Sequence, residues 1–377
     1  MKIWIDGYEA NVGQRLGSSQ VAFELLRNLE KIDYKNEYTI LLPTPPLPDL
    51  PQERKGWQYK VLRPKKLWTR IALPLALYIS QEKPDIFYSP THYIPRFSPI
   101  KRIVTIFDLA YLHFPQMFDR KDLWQLKNWS KFSIQNAESI ITISNSTKKD
   151  IIKHYGIGKD KIVVAYPGYN NEVFYHVNNQ EKIKKIKVKY GVLSEYIIFI
   201  GTIQPRKNIN RLIEAFKKIE NLTLVIVGKI SGQGRGGWMF DNILKKPEEL
   251  GIKDKIIFTG FVPNEDLNLL LNGSSGFILP SLWEGFGIPV VDAMVTGTPV
   301  IVSNISSLPE VVGKAGLLIN PESVDQIEQA IRTITTDKKL ANRLSKEGIK
   351  QAQKFSWQKM AKIVLKVFAS TAHSPYN

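Results

Sequence analysis

Strand-length runs of β-branched and other apolar residues alternate with segments of helical period along this chain, and the alternation starts twice with one polar break between. The first series has such runs at 3–6, 38–42, 86–89, 103–107, 140–143 and 162–165. The second has them at 197–200, 224–227, 256–259, 277–279 and 300–302. A strand followed by a helix and then another strand builds a parallel sheet covered on both faces. Each series therefore predicts an α/β, Rossmann-like unit. The break at 167–179 carries Pro167-Gly168 and two Asn-Asn pairs, which are turn and linker signals. Helices are expected at 324–335, 338–354 and 357–370 after the last strand, with no strand between them. Two units are also what 377 residues demand, because a single hydrophobic core stops growing below that length. In sheets of this kind a ligand binds outside the carboxyl ends of the strands, so a cleft between the units is the expected site.

The loops at those ends carry the chemistry. Glu284-Gly285-Phe286-Gly287-Ile288-Pro289 follows the apolar run ending at Leu279 and leads into a helix with Pro289 as its first residue and Asp292 in its first turn. The amides of Phe286, Gly287 and Ile288 should point out of a helix N-terminus, where hydrogen bonding and the helix dipole both favour an anion such as a diphosphate. Carboxylates at Glu284 and Asp292 gain nothing from phosphates, so they read as acceptors for ribose or sugar hydroxyls. The bland alternative is that they cap the helix, but one cap needs only one acidic residue. Gly201-Thr202-Ile203-Gln204-Pro205-Arg206-Lys207-Asn208 follows another strand run, and its adjacent Arg and Lys suit a diphosphate, the Arg as a fork and the Lys as a compact charge. Read alone, they are two surface cations ahead of an Asn208 cap.

In the first series, Gly13 to Ser19 forms a second phosphate-proximal loop around Gly17, or else a plain turn with Ser18 or Ser19 as N-cap. Asp108, after Phe107, is a polar group at a strand end that either faces the ligand or caps its own loop. His92, at the end of the strand before, either faces the same side or is a structural histidine, as a lone one more often is. No Asp-x-Asp triplet occurs, and His92, His113, His154, His176 and His373 show no ligand-like spacing. A metal-bridged diphosphate is therefore not expected, and Arg206, Lys207 and the helix dipole would neutralise the leaving group instead.

The absence of cysteine excludes disulfides, thiolate metal sites and a cysteine nucleophile. The start of the chain does not read as a signal peptide, and no run reaches the ~20 apolar residues of a spanning helix. The net charge of +17 is divided almost evenly between the halves. Between 54 and 70 it is concentrated: seven basic residues, no acidic ones, and Trp57, Tyr59 and Trp68 among them. That mixture reads either as an anionic membrane surface, with rings at the headgroup level, or as a solvated face. No nucleic-acid-binding motif accompanies it, and none is expected to bind. The segment 182–189 reads as a solvated helix face.

Together these motifs resemble the family 4 retaining glycosyltransferases of the GT-B type over nearly the whole length. Glu284 to Pro289 with Asp292-Ala-Met and Gly297-Thr-Pro-Val is similar to that family's E-x7-E signature, and Ser303-Asn304 through Gly313 continues it. Gly201 to Asn208, Val227-Gly228-Lys229, Thr259-Gly260-Phe261-Val262-Pro263 and Tyr166-Pro167-Gly168 match in order. The resemblance implies a GT-B fold: an acceptor domain at 1–170 completed by a crossover helix at about 357–377, and a donor domain at 171–356. It implies that Arg206 and Lys207 bind the donor diphosphate, Glu284 the sugar hydroxyls and Asp292 the ribose. Gly17, Gly201, Thr202, Val262, Gly285, Phe286, Gly287 and Ile288 complete the donor site, Asp108 joins the catalytic set, and His92 and Phe107 lie on the acceptor side.

Three departures stand out. Asp292 replaces the usual Glu, Phe107 stands where many relatives have His, and the Gly17 loop has Ser19 and Gln20 where relatives often show Gly and Arg. The implied activity is metal-independent, retaining transfer of a hexose, with mannose from GDP-mannose as the best match. The donor is a nucleoside diphosphate sugar, the acceptor a glycan or lipid-linked glycan, and no cofactor is implied. Front-face substitution without a protein nucleophile is part of that implication. The expected location is cytoplasmic, peripheral on the inner membrane face, and the oligomeric state is left open. A nucleotide-sugar epimerase of the same architecture, a non-catalytic nucleotide-sugar sensor and a nucleic-acid binder remain as alternatives. Product analysis with donor alone separates the first, and salt-dependent binding of DNA or RNA the last.

Overall fold

A computed structural model of the chain describes residues 1–229 and 240–374. They divide into two units: residues 1–113, 120–168 and from 356 onward form the first, and residues 114–119 and 169–355 the second. The grouping of 114–119 with the second unit is not visible in the pattern of the sequence. Residues 375–377, part of the expected last segment, lie outside the described residues.

The first unit is built on a seven-stranded sheet: β1 (Lys2–Asp6), β2 (Glu37–Leu42), β3 (Trp57–Val61), β4 (Ile86–Ser89), β5 (Lys101–Ile106), β6 (Ser139–Thr142) and β7 (Ile162–Val164). Their order is β3-β2-β1-β4-β5-β6-β7, and every pairing is parallel. The second has β8 (Tyr196–Ile200), β9 (Thr223–Val227), β10 (Ile256–Gly260), β11 (Gly276–Leu279), β12 (Val300–Ser303) and β13 (Gly316–Ile319) in the parallel order β10-β9-β8-β11-β12-β13. The strand order reverses between β1 and β4 in one sheet and between β8 and β11 in the other. Loops leaving the carboxyl ends of such a pair diverge to opposite faces and open a crevice.

Two strands escape the periodicity. The sequence of β3 alternates a buried Trp57 with exposed Gln58 and Lys60, as an edge strand allows, and its charge masks it. The four residues of β13 are too short to register, so the final helices follow β13 and not the run at 300–302.

The aromatic residues of 54–70 also need correction as membrane-facing rings. Trp57 is fully buried and packs on Tyr38, with ring centroids 5.0 Å apart. Trp68 is buried and its Nε1 donates to Asp6 Oδ1 at 2.9 Å. The Tyr59 hydroxyl donates to the Pro51 carbonyl at 2.6 Å. Burial pushes the Asp6 carboxyl up to about 6, against the hydrogen bonds from Tyr8 N and Trp68. Apolar area in a sheet edge outweighs the polar context in which these rings sit along the chain.

The last helix, Trp357–His373, belongs to the first unit, where it buries Met360, Val364, Val367 and Phe368. The Phe368 ring meets Tyr88 of β4 edge-on at 5.1 Å. At its end, the buried Lys101 Nζ donates to the carbonyls of Thr371 at 3.0 Å, Ala372 at 3.1 Å and Ser374. A cation there satisfies carbonyls that have no partner inside the helix and matches the helix dipole.

Candidate active site

The switch point of the second sheet brings the two cationic residues onto one carboxylate. β8 ends in a loop whose residues Pro205–Lys207 form a single 3-10 turn, and β11 ends in the loop that carries Glu284. Lys207 Nζ donates to Glu284 Oε1 at 2.6 Å, and Arg206 Nη1 to Glu284 Oε2 at 3.4 Å and to the Trp283 carbonyl. All three side chains are largely shielded, with 13%, 17% and 8% of their surfaces exposed for Lys207, Arg206 and Glu284. Burial alone would raise the Glu284 carboxyl, but the charges of Lys207 and Arg206 overcome it and hold the group below the usual range. The trio therefore carries one net positive charge in a largely shielded place.

Neighbouring side chains lock these loops, and the sequence reading missed most of them. Asn208 sits in the left-handed region, φ 59°, and does not cap the following helix Ile209–Phe216. Its Nδ2 instead donates to the carbonyls of Pro280 at 3.0 Å and Pro321 at 2.6 Å, stapling the β8 loop to the β11 loop. Ser306, at φ 56°, accepts from Glu284 N at 3.1 Å, and Ser307 Oγ donates to the Glu284 carbonyl at 2.9 Å. Strained left-handed residues persist only where their surroundings over-determine them, as these two are.

The helix Ile288–Val295 starts at Gly287, whose φ of 97° and whose closeness to Leu308 leave no room for a side chain. Pro289 is the second helical residue, one place later than expected. Among the described residues the amides of Gly287 and Ile288 donate to no backbone carbonyl. The Phe286 ring, by contrast, is buried against Phe355 at 5.2 Å. Asp292 is the fifth residue of the same helix, past the first turn where it was expected; its backbone carbonyl accepts from Thr296 N at 3.3 Å, and burial lifts its carboxyl well above the ordinary range. Gly201 and Thr202 lie at the end of β8, Thr202 exposed; Val262 is buried, and Gly285 is buried beside Glu284.

In the first unit the loops after β4 and β5 bring His92, Phe107 and Asp108 together. The His92 and Phe107 rings lie 5.4 Å apart. His92 Nδ1 is buried with no partner among the described residues. Desolvation pulls the imidazole below its ordinary pKa, opposed by the charge of Asp108. Asp108 accepts from Ala110 N at 2.9 Å, so it does cap its own turn while facing His92. Gly17, with φ 58° and ψ −116°, is the N-cap of the helix Ser18–Ile32 without a side-chain cap bond. Neither Ser18 nor Ser19 caps that helix, because Ser19 Oγ folds back to Leu16.

Two parallel-sheet, Rossmann-like units of seven and six strands are the architecture of the GT-B class. The model described as Glycosyl transferases group 1 matches residues 179–351, and that described as Glycosyltransferase Family 4 matches residues 17–173. The O-antigen chain mannosyltransferase B of Escherichia coli is 31% identical over 303 residues, covering 80% of this chain and 76% of that protein. The chain belongs to glycosyltransferase family 4.

Solved structures agree on the fold. Sucrose-phosphate synthase from Thermosynechococcus elongatus superposes with a TM-score of 0.79 at 19% identity over 98% of both chains. Anabaena HepE, solved in complex with UDP-glucose, does so with a TM-score of 0.76 at 18% identity over 98% of this chain and 100% of that one.

Proposed function

We propose that the chain transfers a hexose, mannose from GDP-mannose in the first instance, to a glycan or lipid-linked glycan of a surface polysaccharide. Transfer proceeds with retention of configuration and without a metal at the donor diphosphate. The observation that carries this reading is the placement of Arg206 and Lys207 on Glu284 at the switch point of the second sheet. An arriving diphosphate takes the two cations as its oxygens' partners and releases Glu284 to accept a hydroxyl of the sugar. The bond from the sugar C1 to the diphosphate oxygen breaks, a bond from C1 to the acceptor oxygen forms on the same face, and the acceptor proton passes to the departing diphosphate. Arg206, Lys207 and the helix start stabilise the charge that develops on the leaving group. Asp292 is one methylene shorter than the family's glutamate. Its carboxyl, pushed upward by burial, serves as the acceptor for a ribose hydroxyl. On the acceptor side, His92 fills the place of the imidazole that Phe107 lacks.

The mannose assignment is supported by the relative from Escherichia coli, whose name states that activity. A thermal-shift series with GDP-mannose, UDP-, dTDP- and ADP-sugars tests it, because a ligand bound only by the native state raises the melting point. GDP-mannose is expected to give the largest rise, and NMR of the product to show the donor's anomeric configuration. No rise with any nucleotide sugar, or an inverted product, removes the reading. Conversion of the donor without acceptor would favour an epimerase.

A cytoplasmic location on an anionic membrane face follows from the same proposal, and a surface of the first unit supports it. Lys55, Arg63, Lys65, Lys66 and Arg70 are exposed beside Leu67, Ile71, Leu75, Tyr78 and Ile79, the last 69% accessible, on and before the helix Leu73–Ile79. Cations and apolar side chains side by side suit a lipid interface. Among the described residues no helix is long and apolar enough to cross a membrane. The chain is expected to sediment with phosphatidylglycerol vesicles at low salt and to leave them at high salt; equal behaviour with neutral vesicles would remove the surface reading.

A further inference from the structure

Three potential metal ligands that play no part in the proposed transfer meet in the first unit. His113 ends the turn Ala110–His113 after β5, and Asp150 and His154 stand one turn apart on the helix Asn145–Tyr155 after β6. Residues at i and i+4 share a helix face. β5 and β6 are adjacent and parallel, so the segments leaving their carboxyl ends run side by side and bring His113 to that face. His113 Nε2 lies 3.1 Å from Asp150 Oδ2, and the His113 and His154 rings meet edge to face with centroids 5.5 Å apart. One ligand atom from each residue lies within 4.8 Å of the other two.

Two imidazoles and a carboxylate are a zinc donor set. Calcium and magnesium require more oxygen ligands than this cluster supplies, and a copper(I) site requires thiolate or thioether. We propose that His113, Asp150 and His154 bind one Zn²⁺ ion, which cross-links the loop after β5 to the helix after β6. Tetrahedral ligation at ~2.0–2.1 Å per Zn–N bond separates ligand atoms by about 3.4 Å. The His113–Asp150 pair, at 3.1 Å, is within about 0.3 Å of that spacing. His154 is exposed, and an exposed side chain changes rotamer on the ps–ns scale. Solvent completes the coordination on the exposed side.

The ion acts on the Asp108 loop without touching the reacting groups. Asp108 caps the turn that His113 ends, and Thr147, on the same helix as Asp150, donates to the Phe107 carbonyl at 2.8 Å. A bond between the turn and the helix therefore fixes Asp108 from a third point, and zinc is a positioning element here.

Zinc binding to the full chain, stripped with a chelator and dialysed, tests this independently of transferase activity. Titration followed by calorimetry and elemental analysis is expected to give one Zn²⁺ per chain with micromolar or tighter affinity and a raised melting temperature, while Mg²⁺ leaves both unchanged. His154→Gln, at an exposed position, is expected to melt like the wild type in metal-free buffer and to bind zinc at least tenfold more weakly. Asp150→Asn is expected to lose the site. Absence of stoichiometric zinc in the wild type, or unchanged affinity in both variants, overturns the proposal.

Discussion

Lys207→Ala is expected to lower turnover by about 100-fold or more, with Arg206→Ala close behind. Removal of one preorganised electrostatic donor costs ~3 kcal/mol in the transition state, and Lys207 makes the shorter of the two contacts with Glu284, 2.6 Å against 3.4 Å. The variant also has a structural cost. Glu284 is buried and its carboxyl is held below the ordinary range by the two cations. A depressed carboxyl pKa contributes stability above the unfolded value of 4.5, and that stability is lost as pH falls through the folded value. Lys207→Ala removes part of it at neutral pH. Lys207→Ala leaves Arg206 and Glu284 as a neutral pair, so the loss of stability and the loss of turnover are read separately, by melting and by kinetics. Turnover within tenfold of the wild type would remove the lysine from the diphosphate site. Chelation gives a further check: activity lost on EDTA treatment in the wild type and in His154→Gln alike would place a metal at the donor.

Gly228→Ala is expected to destabilise the second unit by about 3 kcal/mol, the upper part of the range for overpacking. A Cβ there would stand 2.1 Å from the Gly201 carbonyl oxygen, and a backbone atom cannot rotate away. Gly201 N donates to the Val227 carbonyl and Gly228 N to the Gly260 carbonyl, both at 3.0 Å, so the carboxyl ends of β8, β9 and β10 are pressed together. For a unit of this size the loss corresponds to a fall in melting temperature of about 6–12 °C. The β8 loop that carries Arg206 and Lys207 would be displaced, so donor binding should weaken as well. Gly158→Ala, whose Cβ meets nothing within 4 Å, serves as the control and is expected to stay within ~0.5 kcal/mol. A Gly228→Ala chain that melts with the wild type would show that the loops can separate at little cost.

The parallel strands were legible because burial on both faces leaves near-continuous apolar runs, as in Ile197 to Ile200 and Leu224 to Val227. β3 was not, because an edge strand carries charge on its open face, and Lys60 reads as part of a basic patch. The cation pair and Glu284 were legible because each follows a strand run directly. What holds them was not: Asn208 looks like a helix cap, and Ser306 and Ser307 look like loop residues, until β8 and β11 lie next to each other. The zinc ligands were hidden for the same reason. His113 and Asp150 are far apart in the chain, and only the β5–β6 pairing makes them neighbours. Trp57 and Trp68 misled in the other direction, since basic neighbours in sequence suggested exposure that the sheet edge denies.

The helix Trp357–His373 gives the first unit a peculiar order of assembly. During vectorial synthesis the ribosome releases all seven strands of that sheet, and then an entire second unit, before Phe368 arrives to cover Tyr88. Until then the Thr371 and Ala372 carbonyls that Lys101 binds are not yet made. The strands of the first unit must therefore wait, partly uncovered, for the helix Trp357–His373, while every residue of the second unit has been made by 355.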